Sequence, residues 1–330
     1  MSRIAIIGAG NLGMFLAAHL RAAGHDVFFC VRRPPEAVRV EGFQPFDIPY
    51  FLDSPPSADL ALLTVKAQDT PSAMSWLETL CSAGQPVAVI QNGVHHEQRV
   101  VPYPAIPVLS YVYVEPQNGW LRAFQPPRAH FTVPAGGGSV AFRQLFAGTA
   151  LAVFEEPDFH TAAWRKMLHN CVSNPLTALT GRGLEILAEP HYRDWAQRIL
   201  AEALPVAQAD GARLADEEGA RVLEMLGSYP PGTRTSMLQD RERGRPLEIE
   251  ALNGMVVALG RRYGLPVAVN AELVALLDPV INVAVAEKVA ALKTVDYLRE
   301  RAKRGNPEYT LAWLKSVGQD VPPAVGDELE

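Results

Sequence analysis

Long hydrophobic runs are missing from this chain of 330 residues. The longest, such as residues 4–7 and 60–65, fall far short of the roughly 18 apolar residues that suggest a bilayer span, so no membrane segment is expected. The start, Met1-Ser2-Arg3-Ile4-Ala5, lacks a basic stretch followed by a long apolar one, which argues against a secretory signal. Cysteine is scarce. Cys30, Cys81 and Cys171 stand far apart, which argues against a disulfide framework or a zinc site and fits reduced thiols in the cytoplasm. Positive charge is not in excess: 30 Lys and Arg against 36 Asp and Glu leave a net charge of −6, no electrostatic footing for a nucleic acid. What remains is ordinary globular composition, 48% hydrophobic and 20% charged, over a length that suits two domains.

The first half alternates short apolar runs with helical periodicity. Residues 3–8 read as a buried strand, 12–23 as a helix stopped by Gly24, and 26–31 as a second strand. Residues 60–65 and 87–90 are again continuous apolar runs, the pattern of parallel strands covered on both faces. A further strand is expected over 107–114, and hairpin-like material over 120–133. From about residue 159 the pattern turns helical, over 164–179, 192–209, 216–226, 249–263 and 271–303, the last interrupted at Pro279. The expected architecture is α/β: a doubly wound, Rossmann-like dinucleotide-binding domain over 1–158, then an all-α domain over 159–330 that carries substrate and catalytic groups and an extended C-terminal tail. Glu155-Glu156-Pro157-Asp158 is the expected linker.

Gly8-Ala9-Gly10-Asn11-Leu12-Gly13 is a G-x-G-x-x-G that follows a strand and opens a helix. In that context the glycines serve a tight turn, close approach to a pyrophosphate, and close packing of helix on strand. The second strand then ends in Val31-Arg32-Arg33. A site for NAD usually places an acid there to accept from the ribose 2′-hydroxyl, whereas Arg meets a 2′-phosphate. The missing carboxylate points to NADPH and to Arg32, against the plainer reading of two arginines solvating a loop. Lys66 ends the strand at 60–65 and suits either a cofactor phosphate or ribose contact or simple solvation. Asn92, before Gly93, reads locally as a turn at the next strand end.

In the second half Lys166, Asn170 and Asn174 recur every four residues and so form one ridge of a helix, drifting by roughly 40° per step. Met167, Leu168, Cys171, Val172 and Leu176 surround them. Amides among apolar neighbours need hydrogen-bond partners, which a substrate cleft supplies; an exposed polar stripe is the alternative. Ser236 and Glu248, taken singly, are a helix cap and a first-turn acid.

Taken together, Gly8–Gly13, Val65-Lys66-Ala67, Gln91-Asn92-Gly93, the run from Lys166 through Asn170 and Asn174 to Ala178, Ser236-Met237-Leu238-Gln239-Asp240, Glu248-Ile249-Glu250 and Asn253-Gly254 resemble, in order, the ketopantoate reductase (2-dehydropantoate 2-reductase) family over about residues 3–277. The resemblance implies NADPH-dependent reduction of ketopantoate to pantoate on the way to pantothenate and coenzyme A. It implies Lys166 as general acid, Asn170, Asn174 and Ser236 on the substrate, Asn92 close to both ligands, and Glu248 at the nicotinamide ribose. It also implies a small-molecule 2-keto acid as partner, with a homodimer as the candidate assembly, and leaves Glu202 loosely matched to an acid on the next helix. Relatives of this framework reduce other 2-keto acids, so a paralogue with another substrate is an alternative. A non-catalytic NADPH-binding regulator is a second.

Three features depart from the family pattern. Val94-His95-His96-Glu97 stands where a second glycine is common, and its adjacent His residues lack the spaced partners of a metal site, so no metal is expected. Glu250 replaces an Asp. The chain also continues beyond residue 280, with Leu311, Trp313 and Leu314 as candidate anchors of the tail.

Overall fold

The computed structural model describes residues 1–124 and 130–277. The chain divides into two compact units, one over Met1–Ala163 and one beginning at Trp164.

The first unit runs β1 (Arg3–Ile7), α1 (Asn11–Ala22), β2 (Asp26–Cys30), β3 (Tyr50–Phe51), β4 (Leu60–Leu63), α2 (Thr70–Leu80), β5 (Val87–Val89) and β6 (Ala105–Pro107). These strands form one parallel sheet in the order β3-β2-β1-β4-β5-β6. That is the doubly wound order, which reverses between β1 and β4. The continuous apolar strands are explained by cover on both faces. Ile4 and Ile6 pack with Phe15, Leu16 and Leu20 of α1, while Ala5 and Ile7 pack with Ala73, Trp76 and Leu77 of α2. Cys30, Cys81 and Cys171 are all free and buried, and burial pushes the Cys30 thiol up to about 12 and the Cys81 thiol to about 11.

After β6 the chain departs from the expected single strand over 107–114. It breaks into β6, β7 (Leu109–Ser110) and β8 (Tyr113–Gln117). Pro107 ends the edge strand, where its missing N–H costs no ladder bond, and the chain leaves for other pairings. β8 pairs with β9 (Trp120–Phe124) through Asn118-Gly119, whose φ angles of 51° and 79° make a type I′ turn. The hairpin is therefore centred upstream of the expected one over 120–133, whose residues 125–129 lie outside the described residues. A three-stranded sheet follows, built from β7, β10 (His130–Pro134) and β11 (Ala152–Glu156), with α3 (Val140–Leu145) between the last two.

Glu155 and Glu156, read as linker, belong to β11, and Asp158 leads directly into the long helix α4 (Phe159–Thr180). The Asp158 carboxylate accepts the Thr161 N–H at 3.4 Å, an N-cap contact. The unit division thus falls inside α4, a little beyond the boundary near 158 read from the sequence. The second unit continues with α5 (Pro190–Ala209), α6 (Glu218–Gly227), α7 (Ser236–Glu242), a π-helical turn at Glu250–Gly254, α8 (Met255–Tyr263) and α9 (Ala268–Leu277). The expected helix over 271–303 is described only as far as Leu277. Its remainder, and the tail with Leu311, Trp313 and Leu314, lie outside the described residues.

The glycine turn after β1 shows why two of its glycines are fixed. Gly8 has φ +107°, and a Cβ there would meet Val65 Cγ1 at 2.8 Å; a Cβ on Gly13 would lie 2.1 Å from the Gly8 carbonyl oxygen. A Cβ on Gly10 would meet no atom of the described residues within 4 Å. Gly13→Ala should therefore destabilise the protein by about 1–3 kcal/mol or more, whereas Gly10→Ala should stay within about 0.5 kcal/mol of the parent. Urea unfolding of the two variants measures this, and equal midpoints would contradict it.

Candidate active site

Each unit contributes a cluster of groups, described in turn. In the first unit the cluster lies at the carboxyl ends of β1, β2, β4 and β5, where ligands bind in open α/β sheets. The Gly8 N–H donates to Cys30 O at 3.0 Å, so the glycine turn and the end of β2 are side by side. Thr64 Oγ1 donates to the carbonyls of Ile7 and Gly8 at 3.0 and 2.9 Å, fastening the end of β4 to the same turn. Gly10 is the N-cap of α1, offers no side-chain cap, and no acid occupies the first turn. The N–H groups at that helix end and the open space over Gly10 make a seat for an anion. Asn11 uses its side chain elsewhere: Nδ2 donates to Val114 O at 3.2 Å and holds α1 on β8. Ala9 and Leu12 are half-buried and pack against the sheet core.

Arg32 emerges two residues past β2 with 65% of its side chain exposed, paired with Asp69 at 3.2 Å. Asp69 closes the short 3-10 turn Ala67–Asp69 that begins after Lys66, and its N–H donates to Lys66 O at 2.9 Å. Lys66 and Asn92 are both half-buried at their strand ends. The segment before Asn92 is tied down by hydrogen bonds. Gln91 is buried and its Nε2 donates to Val65 O and Thr70 Oγ1, both at 2.9 Å, while its Oε1 accepts from Arg99 at 3.0 Å. His96, which the sequence leaves without a role, is 1% exposed and its Nε2–H donates to Gln91 O at 2.8 Å, so it is a staple of this turn. Among the described residues no group of three or more His, Cys, Asp or Glu is arranged to hold a metal ion.

The second cluster is carried by α4. Met167, Leu168, Cys171, Val172 and Leu176 are buried, Asn174 is 5% exposed, and Lys166 and Asn170 are half-buried. The three polar residues are thus set into an apolar helix, and the exposed-stripe alternative does not describe Asn174. Burial pulls the Lys166 ammonium down to about 8, and the Glu248 carboxylate opposes the shift by raising it. Glu248 is itself buried. His169, a residue the sequence reading assigns no function, shares a hydrogen bond with Asn170 and lies edge-on to Tyr229 at 5.7 Å between ring centroids. Burial, with the nearby Lys166 charge, lowers its pKa to about 4, so it is neutral at pH 7.

The helix is pinned from α7. Thr235, not Ser236, is the N-cap of that helix: its Oγ1 accepts the Leu238 N–H at 3.2 Å and meets Thr177 Oγ1 of α4 at 2.6 Å. Ser236 is the first helical residue and half-buried. Arg241 donates to the carbonyls of Ala178 and Leu179 and so caps the carboxyl end of α4. Glu202 has a structural position. Its carboxylate accepts the N–H groups of Val269 and Asn270 at 2.9 and 3.0 Å and caps α9.

Comparison with known proteins decides the lineage of this arrangement. Residues 4–115 match the family described as ketopantoate reductase PanE/ApbA, and residues 158–281 match its C-terminal part. The chain belongs to the ketopantoate reductase family. It is 35% identical over 286 residues to a 2-dehydropantoate 2-reductase of Mycobacterium tuberculosis, covering 83% of this chain and 96% of that one. It is 32% identical to one of Caulobacter vibrioides, covering 84% and 99%. The structure of a dimeric ketopantoate reductase from Staphylococcus aureus superposes with a TM-score of 0.74 over 83% of this chain and 97% of that chain, at 21% identity. This is a family of pyridine-nucleotide-dependent reductases. Among the described residues no helix is long and apolar enough to cross a membrane.

One consequence of the second cluster is measurable without any ligand. In protein labelled at the lysine side chains, NMR should show one lysine titrating near pH 8, absent from Lys166→Met. Glu248→Gln removes the charge that favours the ammonium, so the same midpoint should move lower still. A Lys166 midpoint at the ordinary lysine value would contradict the desolvation argument.

Proposed function

We propose that this chain reduces ketopantoate to pantoate with NADPH, using Lys166 as the proton donor to the carbonyl oxygen. The observation that carries the reading is the half-buried ammonium on α4, brought down to about 8 beside Glu248 and in line with Asn170 and Asn174. When bound, the nicotinamide supplies a hydride to the carbonyl carbon. As that carbon is reduced, negative charge grows on the oxygen, and an ammonium within hydrogen-bond reach stabilises the transition state more than the ground state. Lys166 gives up its proton to that oxygen and takes one back from solvent. A pKa close to the working pH suits both halves of that cycle. Glu248 keeps the amine cationic before the step and is the acid assigned to the nicotinamide ribose. Asn170, Asn174 and Ser236 orient the substrate's hydroxyl and carboxylate through amide and hydroxyl groups that add no further titrating charge.

The cofactor reading rests on the first cluster. Residues Gly8, Ala9, Gly10, Asn11, Leu12 and Gly13 would hold the pyrophosphate at the start of α1, with Lys66 on phosphate or ribose and Asn92 near the nicotinamide. Arg32, exposed beyond β2, is the residue assigned to a 2′-phosphate, and no carboxylate stands at that strand end to favour NADH. A homodimer acting in the cytoplasm is the assembly this reading carries, supported by the dimeric state of the Staphylococcus aureus reductase.

NADPH oxidation, followed with ketopantoate and a panel of other 2-keto acids, tests the reading. Turnover of ketopantoate is expected. Activity confined to another acid would assign the chain to a paralogue, and none on any acid would favour a regulatory NADPH-binding role. Lys166→Ala should lose roughly 10²–10⁴-fold in kcat while still binding NADPH. Because the cation is the active form, kcat/KM for reduction should be level below about pH 8 and fall tenfold per unit above it. Oxidation of pantoate needs the neutral amine and should fall on the acid side instead. Arg32→Ala should raise KM for NADPH and narrow its advantage over NADH; an unchanged ratio would remove Arg32 from the site.

A further inference from the structure

Pro175 lies inside α4. Its nitrogen carries no hydrogen, so the Cys171 carbonyl one turn earlier has no partner along the helix. Cys171 is fully buried, and an unmet carbonyl there has no water to turn to. Asn253 meets it. Its Nδ2 donates to Cys171 O at 3.0 Å from the π-helical turn Glu250–Gly254, 82 residues along the chain.

The amide orientation of Asn253 is determined on both sides. The same Nδ2 donates to Asn270 Oδ1 at 2.9 Å, so both its hydrogens face oxygen acceptors, and Asn253 is 0% exposed. Asn270 in turn donates through Nδ2 to Glu202 Oε2 at 2.8 Å and to Ile199 O at 3.3 Å. A single chain of hydrogen bonds thus runs from α5 through α9 and the π-helical turn to α4. Its last link falls between Asn170 and Asn174, and its π-helical link begins two residues after Glu248. Among the described residues the Asn253 Oδ1 is buried without a partner. A side chain that leaves its own acceptor unmet in order to keep both donors engaged is a poor choice for filling a core and an apt one for fixing a register.

We propose that Asn253 is a positioning residue, replacing the hydrogen bond that Pro175 removes from α4 and thereby fixing the ridge of Lys166, Asn170 and Asn174 against Glu248. The inference rests on the reading that Lys166 and Glu248 work as a pair. The alternative is that Asn253 only stabilises the core, which would move the unfolding transition and leave the chemistry of Lys166 alone.

Pro175→Ala returns an N–H to the helix at the place where Cys171 O needs one, so it restores that bond without the Asn253 side chain, and kcat and the Lys166 titration then separate positioning from core stabilisation. The experiment compares the full-length parent, Asn253→Ala and Pro175→Ala/Asn253→Ala. It reads kcat and KM with ketopantoate, the pH limb of kcat/KM, the NADPH Kd and the Lys166 NMR titration. Asn253→Ala is expected to lose roughly 10- to 100-fold in kcat with NADPH binding retained, and to lower the Lys166 midpoint as Glu248 drifts from it. The double variant is expected to regain most of both. Should Asn253→Ala alone not fold, Asn253→Leu, which keeps the side-chain volume and removes the donor, takes its place in the same comparison with the same outcomes. Unchanged kcat and titration in Asn253→Ala overturn it, as does a double variant that is no better than the single one or does not fold. A parent inactive on every 2-keto acid would mark the failure of the reductase reading instead. The Lys166 titration in the same three proteins then decides the proposal.

Discussion

Removing an ammonium from water costs more than any single contact made by its carbon stem repays, so a lysine set among Met167, Leu168 and Cys171 persists only if the surrounding helices hold compensating groups in place. Much of the second unit follows from that requirement. Glu248 supplies the opposing charge, and apolar contacts, being non-directional, do not by themselves fix the place of such a group. Directional bonds fix it. α7 reaches α4 through the Thr235–Thr177 hydroxyl pair and through Arg241 on the last carbonyls, and the π-helical turn reaches it through Asn253. Each of these bonds lands on the carboxyl-terminal half of α4. The start of the second unit is anchored separately, by Trp164 Nε1 donating to Asp210 at 2.8 Å and by Arg165 on the buried Glu218 at 2.6 Å. The polar ridge therefore lies on a helix tied down on both sides of it, as the proposed proton donor requires.

The first unit meets a different constraint, the close approach of backbone to backbone. β1 and α1 can be joined within so few residues only because no Cβ stands at Gly8 or Gly13, and Thr64 uses both the Ile7 and Gly8 carbonyls to close the turn from the other side. The carbonyl side of the turn is thereby satisfied within the protein, while the N–H side at the start of α1 has no side-chain cap. That asymmetry favours an anion. His96 and Gln91 make the neighbouring strand end equally stiff, so a bulky Val94-His95-His96 in place of glycine is absorbed by burial: Val94 is fully enclosed and His96 nearly so.

How much of this was legible in the sequence depends on the range of the interaction. Local geometry was readable. The strand–turn–helix setting of Gly8–Gly13, the continuous apolar strands, and the fourfold spacing of Lys166, Asn170 and Asn174 all report contacts made within a few residues, and each lies where that reading puts it. Asn118-Gly119 carries an equally local hairpin signal, upstream of the hairpin expected after Trp120. Contacts distant along the chain left no such mark. Nothing in the surroundings of Asn253 names Cys171, and nothing near Glu202 names the first turn of α9. Thr235 and Ser236 are adjacent hydroxyl residues with equal claim to the cap, and only the position of Thr177 separates them. Pro175 was the one local clue to the long-range network, because a proline inside a helix always leaves a carbonyl whose partner must come from elsewhere.

The same reasoning bears on the exposed end of the proposed nucleotide site. Arg32 does not wait unpaired: Asp69 holds it across the ends of β2 and the 3-10 turn. With 65% of the guanidinium side chain in solvent, such a pair contributes only about 0–1 kcal/mol and is readily exchanged. A phosphate carries more charge than a carboxylate and accepts through three oxygens, so it competes well for the guanidinium, while an unmodified ribose hydroxyl does not. Asp69 thus gives Arg32 an orientation at little energetic cost and, on the proposed reading, a partner that a 2′-phosphate displaces. An acid at the end of β2 itself does the reverse, accepting from the hydroxyl and repelling the phosphate. On the proposed NADPH reading, the carboxylate that a site for NAD places on the strand end stands across from it here, as Asp69.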